Sequence, residues 1–394
     1  YRPTEPSTLR KYGHRPAPVG GKAKASRPDA HSRHCGGVRI ALLAHVRQRI
    51  RQPFAGGMEA HAWQLATGLS RRGHDVTLFA SGDSDPVFTI DPVVDMHYEE
   101  VFPWAEHRGS AVLVNHLDAA YAAACERIAD GAFDVVHNNS LHRFPLERRW
   151  TDRTPTVTSL HVPPYDALHG FVRQSPSSRH RLTVTSSRQL KAWWPNDTPS
   201  EVSVLHNGID VEQWRFGAKG NGTAIWSGRI TPNKGTHFAA LAARKAGMSL
   251  IIYGAIEDPD YWAAKVVPLL GADIRYGGHL DSGQLAKEMA KASICLFTPC
   301  WDEPFGLVAA EAMACGLPVA AFDMGAAGEV IGDAGKLAKP GDVDGLARAI
   351  QDACLIDRTI ARRRAVEMFS QDVWLARCED LYAQLCSASV AAAA

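Results

Sequence analysis

The chain has 394 residues, 45% hydrophobic and 22% charged, with 43 Lys and Arg against 42 Asp and Glu for a formal net charge of +1. That length suggests two or three domains, each able to bury its own core, and excludes a small stapled fold. The mixed, near-neutral composition fits neither a chain disordered throughout nor a strongly basic nucleic-acid binder.

Residues 1–37 hold eight Lys or Arg against Glu5 and Asp29, with many Pro, Gly and Ser and no apolar period, so the sequence predicts a disordered basic tail. No apolar h-region precedes the first strand-like run, and the longest weakly charged stretch, 305–322, contains Glu311, Gly316 and Pro318. Neither a signal peptide nor a spanning helix is expected. The eight cysteines include no C-x-x-C pair and read as reduced core thiols of a cytoplasmic protein.

From Val38 onward, short apolar β-type runs alternate with stretches of helical period, the pattern of a parallel-sheet α/β protein. Residues 38–45 predict a buried strand, and 58–72 a helix with Ala62, Leu65, Ala66 and Leu69 on one face, stopped at Gly73. Further strands are expected at 75–80, 133–138, 156–161, 182–186 and 202–209, with helices around 117–130 and 187–194, so a first unit spans 38–210. Residues 211–222 lose the strand pattern, gain glycine and read as a linker. The alternation restarts with strands at 224–229, 249–254, 273–278, 293–299 and 317–323, and helices near 234–247, 281–291, 306–315 and 342–355. That gives a second unit over 223–357, followed by a C-terminal helical segment and tail over 358–394. The expected architecture is α/β, with two doubly wound Rossmann-like domains facing a central cleft.

Three segments carry chemistry. Gly56-Gly57 follows a strand and a polar loop and opens a helix, where free amides and the helix dipole can hold an anion; the pair alone suits a plain flexible loop as well. In GRITPNKG (228–235) a strand ends at Gly228, Arg229 follows at once, and Lys234 opens the next helix. Two cations at a strand end suit a diphosphate, or else are solvated surface charge. The run is not a Walker A loop, because the G-K-[ST] run is missing: Asn233 precedes Lys234 and Gly235 follows it. In EPFGLVAAE (303–311), Glu303 precedes a helix and Glu311 lies within it, so two carboxylates can reach different parts of one elongated ligand while amides near Gly306 face its phosphates. A structural ion pair is the competing reading.

With SLHVPPY (159–165) and VLHNGID (204–210), these segments resemble the retaining glycosyltransferases of the GT-B fold, family 4, over about residues 38–355 and in the expected order. The resemblance implies that Arg229 and Lys234 hold the diphosphate of a nucleotide sugar, Glu303 binds donor-sugar hydroxyls and Glu311 the ribose. Amides around Gly57, Phe305, Gly306 and Leu307 would complete the phosphate cradle, with His161 near the donor sugar. The expected catalytic set is thus Arg229, Lys234, His161 and Glu303. The expected donor-binding set is Gly56, Gly57, Gly228, Phe305, Gly306, Leu307, Val308 and Glu311, with no metal ligand. Where many members have His-Asp, this chain has His161-Val162, which removes an adjacent carboxylate. Details of these segments are similar to a tetrahydrobiopterin-glucosyltransferase-like subgroup.

The activity so implied is metal-independent transfer of a hexosyl group from a nucleotide diphosphate sugar, of UDP-glucose rather than GDP-mannose type. No cofactor is expected beyond that co-substrate. The acceptor is a small molecule, a glycan or a lipid-linked molecule; nucleic acid is not a partner, and the resemblance allows peripheral membrane contact. An NAD-dependent oxidoreductase is disfavoured because no G-x-G-x-x-G follows a strand with an acidic residue about 20 positions on. A nucleotide-sugar epimerase, a pyridoxal-dependent phosphorylase and a non-catalytic nucleotide-sugar-binding protein share the architecture and stay as alternatives. Asp83-Ser84-Asp85 resembles a metal-binding D-x-D, but its place directly after a strand and before Pro86 favours a loop cap.

Overall fold

The computed structural model describes residues 37–393; the expected basic tail therefore lies, but for its last residue, outside the described residues. The first half carries strands β1 (Arg39–Leu43), β2 (Asp75–Ser81), β3 (Thr89–Val94), β4 (Val135–Asn138), β5 (Thr156–Leu160), β6 (His180–Val184) and β7 (Val202–Val204). Its helices are α1 (Gly57–Arg71), α2 (Tyr98–Val101), α3 (Trp104–His107), α4 (Ala111–Asp130), α5 (Arg148–Thr151), α6 (Asp166–Gln174) and α7 (Ser187–Trp193). The second half carries β8 (Ala224–Ser227), β9 (Leu250–Tyr253), β10 (Ile274–Gly278), β11 (Ile294–Phe297), β12 (Val319–Phe322) and β13 (Gly335–Ala338). Its helices are α8 (Thr236–Lys245), α9 (Pro259–Tyr261), α10 (Ser282–Lys291), α11 (Leu307–Ala314), α12 (Ala327–Ile331), α13 (Val343–Ala353) and α14 (Arg358–Phe369), and α15 (Gln371–Ala393) closes the chain.

Two parallel sheets result, ordered β3-β2-β1-β4-β5-β6-β7 and β10-β9-β8-β11-β12-β13. Both faces of each sheet are covered, as the unbroken apolar runs require. Ile40 and Leu42 of β1 pack with Leu65 and Leu69 of α1, while the alternate residues Ala41 and Leu43 pack with Leu113, Tyr121 and Ile128 of α4. In the second sheet, Ile294 and Leu296 of β11 face α8 and α13, and Cys295 and Phe297 face α11 and α14. Strand order reverses at β1/β4 and at β8/β11, and the loops leaving those strands at their C-terminal ends form the cleft.

Several elements differ from their sequence patterns. β3 and β13 are edge strands not expected from sequence; β3 contains Pro92, and β13 is only four residues with Lys336 exposed, so neither shows a continuous apolar run. The strand expected at 202–209 stops at Val204, because the next residues take other partners: Ile209 N–H donates to Phe369 O at 2.8 Å and Gln371 N–H to Ile209 O at 2.8 Å. The helix expected from 117 begins at Ala111, where the Ser110 hydroxyl caps the Leu113 N–H at 3.3 Å. α15 does not trail from the second half. Its Trp374, Leu375, Cys378, Tyr382 and Leu385 join the core beneath β1 and α1, so the C-terminus completes the first half.

Candidate active site

On the first side of the cleft, α1 starts at Gly57 with Gly56 as an extended N-cap and no side chain of Gly56 to cap it. The absence of a side chain at Gly57 lets this end approach α11: a β-carbon there would lie 3.3 Å from Leu307 Cδ1. Glu59 crowds the anion site expected here, its Oε2 lying 3.1 Å from where a β-carbon of Gly56 would stand. The Glu59 carboxyl folds back on the Gly56 and Glu59 amides; burial raises its pKa and those amides oppose the rise. A phosphate reaching Gly56 would compete with this internal carboxylate.

His161 follows β5 and points into the same space. Its Nε2 pairs with Asn139 Oδ1 at 2.7 Å, which places the proton on Nε2 and leaves Nδ1 as an acceptor. Burial lowers its pKa to about 4, so the ring is neutral through the physiological range. The His61 ring lies 4.3 Å from it and 4.7 Å from Trp374, and the buried His61 Nε2 has no protein partner. His61 was not among the expected site residues; it sits on the helix face read as core, four positions after Gly57.

On the second side, Gly228 and Arg229 follow the end of β8 at Ser227, and Arg229 Nη1 meets both oxygens of Glu257 at 2.8 and 3.0 Å. Both partners are nearly half exposed, so this pair is weak and readily exchanged for a ligand. Lys234 Nζ reaches Glu303 Oε2 at 2.5 Å, and Trp301 Nε1–H donates to the same oxygen at 2.7 Å. Lys234 Nζ also stands 5.3 Å from the centre of the Trp301 ring.

Two glycines shape this wall. Gly306, the N-cap of α11, has φ +92°, and a β-carbon there would come within 2.7 Å of the Phe297 ring. Gly325 has φ +62° and lies so close behind Glu303 that a β-carbon would meet the Glu303 backbone at 2.3 Å; Ala326 N–H donates to Glu303 O at 2.8 Å. No acidic residue occupies the first turn of α11 and no side chain caps it, so its amides at Leu307 and Val308 present partial positive charge. One turn on, Glu311 is partly buried, and that burial raises its carboxyl pKa to about 7.

These groups line three adjoining cavities. One, of about 330 Å³, holds Gly56, Gly57, His61, His161, Gly228, Arg229, Lys234, Trp301, Glu303, Phe305, Gly306, Leu307 and Val308. A second, of about 910 Å³, shares Gly56, Gly57, Leu307 and Val308 and adds Glu311, Gln64 and Gln213. A third, of about 400 Å³, shares Gly228 and Arg229 with the first and adds Tyr253, Glu257 and His279. Every expected site residue except Glu311 thus lines the first cavity, and Glu311 lines its neighbour. Trp301 and Glu257 were missed; the first could have been found from an indole two positions before Glu303, whereas nothing in sequence links Glu257 to Arg229.

Asp83, Ser84 and Asp85 tie their loop to the segments around it. The Ile50 N–H donates to Ser84 Oγ at 3.0 Å, the Val87 N–H to Asp85 Oδ1 at 3.1 Å, and Asp83 pairs with His97. Among the described residues, no three His, Cys, Asp or Glu side chains are grouped to hold a metal ion.

Comparison with known proteins places this geometry. Residues 55–213 match the Glycosyltransferase Family 4 model and residues 221–354 the Glycosyl transferases group 1 model, one on each half. Glycogen synthase of Mycobacterium tuberculosis is 28% identical over 361 residues, covering 79% of this chain and 85% of its own. Phosphatidyl-myo-inositol mannosyltransferase of Mycolicibacterium smegmatis is 28% identical over 318 residues, covering 75% and 80%. Among solved structures, Anabaena Alr3699/HepE in complex with UDP and glucose superposes with a TM-score of 0.63 at 20% identity, covering 87% of this chain and 98% of that one. The chain belongs to the group 1, family 4 glycosyltransferases and is an enzyme of the GT-B fold.

Proposed function

We propose that the protein moves a hexosyl group from a nucleotide diphosphate sugar to an acceptor hydroxyl, without a metal and with retention of configuration. The observation that carries this reading is the convergence of Arg229, Lys234 and the α11 amides on one cavity with Glu303 and His161. Two cations and a helix N-terminus supply the charge stabilisation that a departing diphosphate needs, a role that a metal fills in other transferases. Glu303 Oε1 and His161 Nδ1 are acceptors for sugar hydroxyls, and Glu311 is the acceptor for the ribose.

In the transfer, the bond from the anomeric carbon to the β-phosphate oxygen breaks with its electron pair leaving on that oxygen. The acceptor oxygen bonds to the anomeric carbon on the same face, and its proton passes to the departing phosphate. No protein nucleophile is needed. A donor of UDP-glucose type is favoured by the family resemblance and by the UDP and glucose named in the HepE complex; the mycobacterial mannosyltransferase marks GDP-mannose as the competing donor. The acceptor classes to try are small molecules including pterins, glycans and lipid-linked molecules. The seven described cysteines are free, which supports a cytoplasmic setting. Among the described residues no helix is long and apolar enough to cross a membrane.

The test needs no acceptor. Slow hydrolysis of UDP-glucose, followed by proton NMR with chelator present, should release UDP and show α-glucose first. A first-formed β anomer, faster turnover of GDP-mannose, or dependence on added divalent metal would each overturn the corresponding part of this reading.

A further inference from the structure

We infer that Trp301 is the positioning residue that sets sugar specificity in the donor site, by anchoring one oxygen of Glu303 so that only the other reads the sugar. The inference rests on Glu303 binding donor-sugar hydroxyls, as proposed above.

Three contacts carry it. Trp301 Nε1–H and Lys234 Nζ both donate to Glu303 Oε2, at 2.7 and 2.5 Å, and among the described residues no hydrogen bond reaches Oε1. The Lys234 ammonium stands over the Trp301 ring, so the indole face holds the cation while the indole edge holds the anion. The backbone is fixed as well: Cys300 N–H donates to Asn233 O at 2.8 Å, beside Lys234, and Ala326 N–H to Glu303 O at 2.8 Å.

A lysine alone would not fix the carboxylate. Its ammonium is a point charge on a flexible stem and tolerates many carboxylate orientations, whereas an indole N–H is a single directional donor on a rigid ring. With Oε2 held by both, Oε1 is the oxygen left to read a ligand in the cavity that Trp301, Lys234 and Glu303 line together. A fixed acceptor discriminates among hydroxyl configurations, because an epimer that misplaces its hydroxyl leaves that acceptor unpaired. Removing the indole N–H frees the carboxylate to turn and follow either epimer.

The test is Trp301→Phe, which keeps an aromatic face for Lys234 and removes the N–H. Calorimetry with UDP alone should match the native protein within about twofold, since no proposed diphosphate ligand is replaced and Phe keeps an aromatic face under Lys234. The KM for UDP-glucose should rise about tenfold or more, as expected for a lost hydrogen bond to a charged group, with kcat changing less. Selectivity for UDP-glucose over the C4 epimer UDP-galactose or the C2 epimer UDP-mannose should fall in parallel. In a Glu303→Gln background the same substitution should add no further loss. Should the Phe variant not fold, Trp301→Leu, which likewise has no donor for Glu303, carries the selectivity part of the test.

Unchanged selectivity and KM in Trp301→Phe, with both lost in Glu303→Gln, would overturn the inference and leave the function standing. Unchanged affinity for UDP-glucose relative to UDP in Glu303→Gln would instead remove the reading of Glu303 on which it rests.

Discussion

Lys234 Nζ stands 2.5 Å from Glu303 Oε2, joining the loop after β8 to the loop after β11 across the strand-order reversal of the second sheet. The ammonium is therefore a counter-charge for the carboxylate and, in the proposed reaction, for the diphosphate. Lys234→Ala removes both services. We expect kcat/KM for the donor to fall at least about a hundredfold, on the scale of one preorganised donor to a developing anion, with Lys234→Arg recovering part of it. Steady-state kinetics with UDP-glucose checks this.

Arg229 is held by Glu257 in a half-exposed pair. In the proposed donor complex a nucleotide draws the guanidinium away, so Glu257 competes with the ligand. Glu257→Gln should tighten UDP binding, by no more than about threefold because exposed pairs are weak, and the gain should fade at high salt. Titration calorimetry at low and high ionic strength reads both effects.

Glu311 gives a pH dependence of defined sign. Burial raises its pKa from the ordinary carboxylate range to about 7, so between those values the unfolded chain has lost the proton that the folded protein keeps. Its contribution to stability therefore declines as pH rises from the ordinary carboxylate range through about 7. Glu311→Gln should raise the thermal midpoint at pH 8 and change it little at pH 4.5. If the carboxylate accepts ribose hydroxyls, affinity for UDP-glucose should increase from pH 6 to pH 8 in the native protein and stay flat in the Gln variant. UDP-glucose suits the measurement because its diphosphate diester does not titrate in this range.

Gly325 is outside the cavity yet controls it. A β-carbon at φ +62° would meet the Glu303 backbone at 2.3 Å, so Gly325→Ala must push the Glu303 loop or open the β12–α12 turn. We expect a loss of about 1–3 kcal/mol in stability and a larger proportional loss in donor kcat/KM than in UDP affinity. Urea denaturation and calorimetry on the same variant separate the two.

Much of this was legible in the chain. The continuous apolar runs of β1 and β11 announce strands buried on both faces, and the small, periodic face of α1 at Ala62, Leu65, Ala66 and Leu69 lies where expected. Two of the four edge strands, β3 and β13, were not legible, since Pro92 interrupts the first and the second is a four-residue strand with Lys336 exposed. Nor was the fate of α15: a helix with apolar residues on one face does not say which sheet it covers, and only the pairing of Ile209 with the backbone around Ser370 carries the chain back to the first half. At the site, the segments 228–235 and 303–311 drew attention to Arg229, Lys234 and Glu303, and the family resemblance chose the ligand reading over surface charge or a structural ion pair. The counter-charge of Arg229 and the fold-back of Glu59 could not be read this way. Glu257 pairs with Arg229 across 28 positions and Glu59 turns back on its own helix, and both depend on side-chain directions that spacing does not encode.

The central claim is that this cleft binds a nucleotide sugar through Arg229 and Lys234 with no metal. Calorimetric titration of UDP-glucose with EDTA present, on the native protein and on the Arg229→Ala/Lys234→Ala variant, tests it most directly. The account predicts saturable binding by the native protein and a loss of at least about thirtyfold in the variant, as for two charge-assisted contacts removed together. Equal binding by both proteins, or binding by the native protein only after a divalent metal is restored, would contradict it.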